Sequence, residues 1–113
     1  MVKTIRALEK EIEAIKRQLV TLGDLRPGSL SKQYNVCGNP TCRCKDDPPR
    51  KHGPYYQLSF TRKGRSRTQF VKKAHLALVK KQMTNYSRLR RLVDRWIELS
   101  TQLCQRKMEQ ETG

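Results

Sequence analysis

Long hydrophobic runs are missing from this 113-residue chain. No stretch approaches the roughly 20 apolar residues that a membrane-spanning helix needs, so no such helix and no membrane partner is expected. The opening MVKTIRALEKEIEA mixes both charges and has no apolar block. That rules out a secretory signal there and sets the expectation of a cytoplasmic protein, in which reducing conditions disfavour structural disulfides. Apolar residues make up 35% of the chain and aromatics 6%, against 31% charged, which leaves material for one thin or elongated core. A single domain with such a core usually needs a metal, a disulfide or a partner chain. Acidic residues are also scarce, ten against 25 basic ones, and between residues 25 and 95 only Asp46, Asp47 and Asp94 occur. With no paired carboxylates and no Ser–His arrangement, a hydrolase or nuclease is not expected, and the chain reads as a non-enzyme.

What is present is unevenly placed. The net charge is +15, yet residues 1–24 sum to +1 and residues 96–113 to −1, so the excess lies between 25 and 95. The two near-neutral ends are patterned as helices. Ile5, Leu8, Ile12, Ile15, Leu19 and Leu22 alternate at spacings of three and four, a heptad seam. Gly23 and then Pro27-Gly28 end that helix, placed at residues 1–23. Tyr86, Leu89, Val93, Trp96, Ser100 and Leu103 repeat the spacing within a long helix expected over residues 75–108. Neither helix can bury its seam alone. The expected fold is α+β: an antiparallel, coiled-coil-like hairpin of the two terminal helices, carrying residues 26–73 as a head. An intermolecular coiled coil is the rival pairing, and a four-helix homodimer would satisfy both. Cys104, in line with Val93, Ile97 and Ser100, reads as a small buried hydrophobe.

The head holds the other three cysteines, spaced Cys37-x4-Cys42-x-Cys44, with His52 seven residues further on. A disulfide would leave one of the three unpaired, and Cys42 and Cys44 are too close in sequence to bridge easily. A redox motif would be C-x-x-C in a βαβ setting, which is absent. Gly38, Asn39, Pro40, Thr41 and Arg43 are turn residues, not a core segment. A tight turn that points thiolates inward suits tetrahedral Zn²⁺, with His52 as fourth ligand and no open position for water. An iron–sulfur cluster is the competing assignment, although such clusters usually take four cysteines. Asp46 and Asp47 read as solvated turn residues ahead of Pro48-Pro49, and His75 as a residue near a helix start.

After His52, two β-rich runs at residues 55–60 and 68–71 flank Lys63-Gly64, a hairpin signal. A three-residue loop would set Leu58 opposite Phe70, with Tyr56, Leu58 and Phe60 on one apolar face. Arg62, Lys63, Arg65 and Arg67 crowd the tip, Lys72 and Lys73 its base, and Arg43, Arg50, Lys51, Arg88 and Arg91 extend the positive region. These side chains form the expected contact set for nucleic acid, and Tyr34, Tyr55 and Tyr56 are candidates to stack unpaired bases.

The string YNVCGNPTCRC…HGPYYQLSF resembles a family of small, uncharacterised bacterial proteins with the pattern C-G-x-x-x-C-x-C followed by H-G-P-Y-Y. The resemblance spans roughly residues 26 to 95 and implies a shared fold and shared metal ligands. Members tend to be encoded in or beside mobile elements and transposase genes, which implies a DNA- or RNA-handling accessory, DNA before RNA. The alternative is an adaptor whose helical seam and basic head bind a larger protein partner.

Overall fold

The computed structural model describes residues 3–46, 48 and 50–112. Asp47, read above as a solvated turn residue, and Pro49 lie outside the described residues. The fold is mixed helix and sheet, in the order α1 (Ile5–Leu19), β1 (Ser29–Asn35), β2 (His52–Arg62), β3 (Arg65–Val71) and α2 (Leu76–Thr112). The described residues gather into two compact units. One is residues 1–25 with 84–113; the other is residues 26–83. Helix α2 contributes its first turns to the second unit and its remainder to the first.

In the helical unit, Thr4 caps α1 by accepting a hydrogen bond from the Ala7 backbone N–H at 3.1 Å. Lys16 and Arg17 lie in its last turn, where the helix dipole favours positive charge. The helices run antiparallel. Lys107 sits 3.7 Å from Glu9, and Arg88 donates to Gln18 at 3.3 Å. Leu8, Ile12, Ile15 and Leu99 form the buried core, with Leu19, Leu92, Trp96 and Leu103 against it. The first seam is as expected from Leu8 to Leu19, but α1 ends there, not at residue 23, so Leu22 lies beyond the helix; the second seam is displaced. On α2 the buried stripe is Leu92, Trp96, Leu99 and Leu103, and Val93 and Ile97 are exposed. Cys104, one position beyond Leu103, is exposed too, so it is not the small buried hydrophobe expected. Two apolar stripes run along α2, and only the one with three leucines, Leu92, Leu99 and Leu103, fills the seam of α1. Accordingly, Leu99→Ala should destabilise the protein by about 2–5 kcal/mol in urea unfolding, as for other buried leucines. Val93→Ala should change it by no more than about 0.5 kcal/mol.

In the other unit the head is a three-stranded antiparallel sheet in the order β1-β2-β3, not a lone hairpin. Strand β1, SLSKQYN, carries only two large apolar or aromatic residues among seven, so nothing in its composition announces a strand. It is held by pairing with β2, Leu30 opposite Leu58 and Gln33 opposite Tyr55. The β2–β3 turn has two residues, Lys63 and Gly64, both at positive φ (52° and 75°). The two-residue turn sets Arg62 opposite Arg65 and Leu58 opposite Gln69. Phe70 consequently faces Gln57, and the three-residue register expected above is corrected by one position. A slip of one moves every side chain of a strand to the other face. The inner face presents Tyr56, Leu58, Phe60 and Val71, which pack with Leu30 and with Val79 and Met83 of α2. Leu58 is 0% exposed and is the centre of this core. Gly28, at φ 139°, permits the chain to approach it, because a Cβ there would stand 2.8 Å from Leu58 Cδ1.

Candidate metal centre

The loop between β1 and β2 has little apolar material to fold around. Among its described residues Cys44 alone is buried, and Val36 is half exposed. What orders it locally is turn chemistry. Asn39 Oδ1 accepts hydrogen bonds from the Thr41 backbone N–H at 3.1 Å and hydroxyl at 2.8 Å, the side-chain-to-backbone pattern that makes Asn a turn former. The Cys42 N–H then donates to the Asn39 carbonyl at 3.2 Å. Cys42 begins a 3₁₀ turn, Arg43–Lys45, closed by the Lys45 N–H on the Cys42 carbonyl at 2.9 Å. This turn aims Cys42 and Cys44 to the same side. Cys37 follows the end of β1, and His52 is the first residue of β2, with Asn35 its partner across the pair.

These four side chains converge. Cys42 Sγ lies 3.1 Å from His52 Nε2, Cys37 Sγ lies 3.5 Å from Cys44 Sγ, and all four donor atoms fall within 4.8 Å of one another. A tetrahedral ion with metal–sulfur bonds of about 2.3 Å sets sulfur–sulfur edges of about 3.8 Å, so the donors have the spacing of a coordination shell. The Cys37 backbone N–H donates to Cys44 Sγ at 3.3 Å. Such N–H···S bonds stabilise a sulfur that carries negative charge. A backbone hydrogen bond at Asn39, with the Cys42 and Cys44 thiols, holds Cys37 below the ordinary thiol range. Burial pushes Cys44 above it. Burial of that kind is offset when a cation takes the thiolate.

Gly53, beside His52, is at φ 136°, and a Cβ there would meet the Gln33 carbonyl of β1 at 2.7 Å. A side chain here would collide with the β1 backbone at Gln33 and Tyr34, and the positive φ adds strain for any residue but glycine. Gly53→Ala should lower stability by more than about 1 kcal/mol, read as a reduced melting temperature of the metal-loaded protein.

The structure also sorts the remaining candidates. Arg43, Arg50, Lys51, Arg62, Lys63, Arg65, Arg67, Lys72, Lys73, Arg88 and Arg91 are all exposed. They form separate groups. Cross-strand register puts Arg62, Arg65 and Arg67 on one face of the hairpin tip. The cysteine loop sits at the other end of the 11-residue strand β2, ten residues from Arg62, or about 33 Å along the strand. The tip is therefore not adjacent to the cysteine turn, and the basic residues of the head do not form one continuous region. The bases that share the metal end of the sheet are Arg43, Arg50 and Lys51 in the loop, with Lys72 and Lys73 just after β3. Arg88 and Arg91 belong to the helical unit. Of the aromatic candidates, Tyr34 and Tyr55 are exposed, whereas Tyr56 packs against the Leu58 core and is partly buried. Phe70 was missed and is 68% exposed. Its signal was the Lys63-Gly64 pair, which as a two-residue turn sends Phe70 outward.

Fold and site together define a small α+β protein with a Cys3His group able to hold a metal ion. It belongs to the family described as Domain of unknown function (DUF6788), which matches residues 5–81. No curated protein and no solved structure gives a significant match. No helix among the described residues is long and apolar enough to cross a membrane.

Proposed function

We propose that this chain is a zinc-containing, non-catalytic nucleic-acid-binding protein, an accessory or regulator linked to a mobile genetic element. Zinc is favoured by the donor set. Three thiols and an imidazole within 4.8 Å suit one tetrahedral ion and leave no room for a multi-iron core. Four protein ligands complete the shell, so the metal has no position for a substrate and its role is structural.

The observation that carries nucleic-acid binding is the hairpin tip. Arg62 and Arg65 stand directly opposite each other, with Lys63 and Arg67 beside them, and no acidic residue occurs from 52 to 74. Like charges in that position destabilise a strand pair. A polyanion relieves the repulsion, and arginine's planar fork suits phosphate and guanine edges. Residues 26–83 carry 14 basic and two acidic residues, so +12 of the net +15 belongs to the sheet unit. Elemental analysis of the purified protein, with sequencing of nucleic acid that co-purifies, tests both halves. One zinc per chain and an enriched nucleic acid are expected. A metal-free folded protein carrying none would overturn the proposal.

A second reading, as an adaptor, rests on a different observation. Tyr86, Leu89, Val93 and Ile97 line an open groove of about 630 Å³ on α2. Ile97 is 59% exposed there. A protein partner retained after nuclease digestion would favour this reading.

A further inference from the structure

The outer face of the sheet is chemically unusual. Cross-strand partners share a face, so it carries Ser29, Ser31 and Gln33 of β1, the alternate residues of β2 from Tyr55 to Thr61, and Ser66, Thr68 and Phe70 of β3. No charged residue stands on it, and its two aromatic rings are together at the metal end. Tyr55 and Phe70 lie edge to face with centroids 6.4 Å apart, and 43% and 68% of each is exposed. Exposing two rings side by side costs hydration free energy and nothing in the fold requires it, since the core lies on the opposite face. Hollows flank the pair. One of about 290 Å³ reaches Val36, Cys37 and His52, and one of about 320 Å³ reaches Pro54, Lys72 and Lys73.

We infer that Tyr55 and Phe70 form a stacking platform for unpaired bases of single-stranded nucleic acid, with Lys72 and Lys73 holding its phosphates. The inference rests on the nucleic-acid reading above and adds a substrate class to it. Paired bases hide their faces inside the duplex, so exposed rings gain nothing from a double strand. A single strand presents a ring face at each nucleotide and a phosphate beside it, which matches rings flanked by cations. A protein partner would more often meet a ring set in a pocket with a closed rim, and both hollows here are open. The metal loop contributes by anchoring the starts of β2 and the end of β1, which holds Tyr55 at the rim.

Fluorescence anisotropy with labelled oligo(dT) and with a mixed-sequence duplex of equal length tests this on the zinc-loaded full chain. Phe70→Leu keeps the apolar surface and removes the ring. It should weaken oligo(dT) binding by about 5- to 150-fold and leave duplex binding within about twofold. Phe70→Trp should restore oligo(dT) affinity, and its indole fluorescence should be quenched on binding, a readout that a merely structural role would not move. Phe70 is exposed, so zinc content and melting temperature should stay those of the unsubstituted protein in both variants. Unchanged oligo(dT) affinity in Phe70→Leu and in Tyr55→Leu would overturn the platform while leaving nucleic-acid binding standing, and is also the result if the face serves a protein. Failure of the unsubstituted chain to bind either probe would overturn both.

Discussion

Cys42→Ser should reduce bound zinc from one per chain to near zero and lower the melting temperature of the sheet unit by roughly 15 to 30 °C. The size follows from linkage. Metal present at about a thousand times its dissociation constant stabilises the folded state by about 4.1 kcal/mol. In a unit of some 60 residues each kcal/mol moves the midpoint by about 4–8 °C. The effect is large because the loop has no substitute. Its one buried residue among those described is Cys44, itself one of the four donors, and the buried side chains Leu58, Val71 and Val79 cluster with Leu30, Tyr56, Phe60 and Met83, not with the loop. Cys42 stands 3.1 Å from His52 Nε2, so its loss also frees the histidine that starts β2. Cys104→Ser is the control: that thiol is exposed on α2 and outside the cluster, and zinc content should not move. Mass spectrometry of the native protein and a chelator titration followed by circular dichroism read both quantities. Retention of one zinc by Cys42→Ser, with an unshifted melt, would refute the assigned ligand set.

The second large effect belongs to the hairpin tip. Replacing Arg62, Lys63, Arg65 and Arg67 together by alanine should cut affinity for nucleic acid by two orders of magnitude or more at low salt. The firmer signature is the salt dependence. Each phosphate contact adds about 0.7 (single strand) to 0.9 (duplex) to the slope of log affinity against log salt, so four lost contacts should flatten it by about three. The same substitutions remove the opposed Arg62–Arg65 pair, and the sheet should melt no lower than before, which separates lost binding from lost fold. An unaltered slope would show that the tip does not meet phosphate. The tip and the Tyr55–Phe70 rings are at opposite ends of the sheet. The tip variant should therefore weaken duplex and single strand alike, whereas loss of the ring should affect the single strand alone.

The expectations that survived the structure were those in which residue type alone carries the chemistry. Cys37, Cys42, Cys44 and His52 are legible as a metal group because soft thiolates and an imidazole at turn spacing have few other uses, and turn residues between them bring the donors together by local hydrogen bonds. The α1 seam is legible for a similar reason: Leu8, Ile12 and Ile15 lie in one stripe with no competitor. The excess of positive charge in the middle of the chain is a matter of counting.

Everything that depended on a partner strand or helix had to wait for the three-dimensional arrangement. Helix α2 carries two apolar stripes, and whether Leu99 or Val93 is buried is settled by where α1 docks. Whether Phe70 faces the core or the solvent turns on one residue in the Lys63-Gly64 loop, since side chains alternate with a period of two. Strand β1 has a polar composition that acquires its conformation from hydrogen bonds to β2, a non-local term invisible in a window of seven residues. The separation of the arginine tip from the metal loop arises in the same way, because 11 residues of extended backbone carry the chain farther than their number suggests.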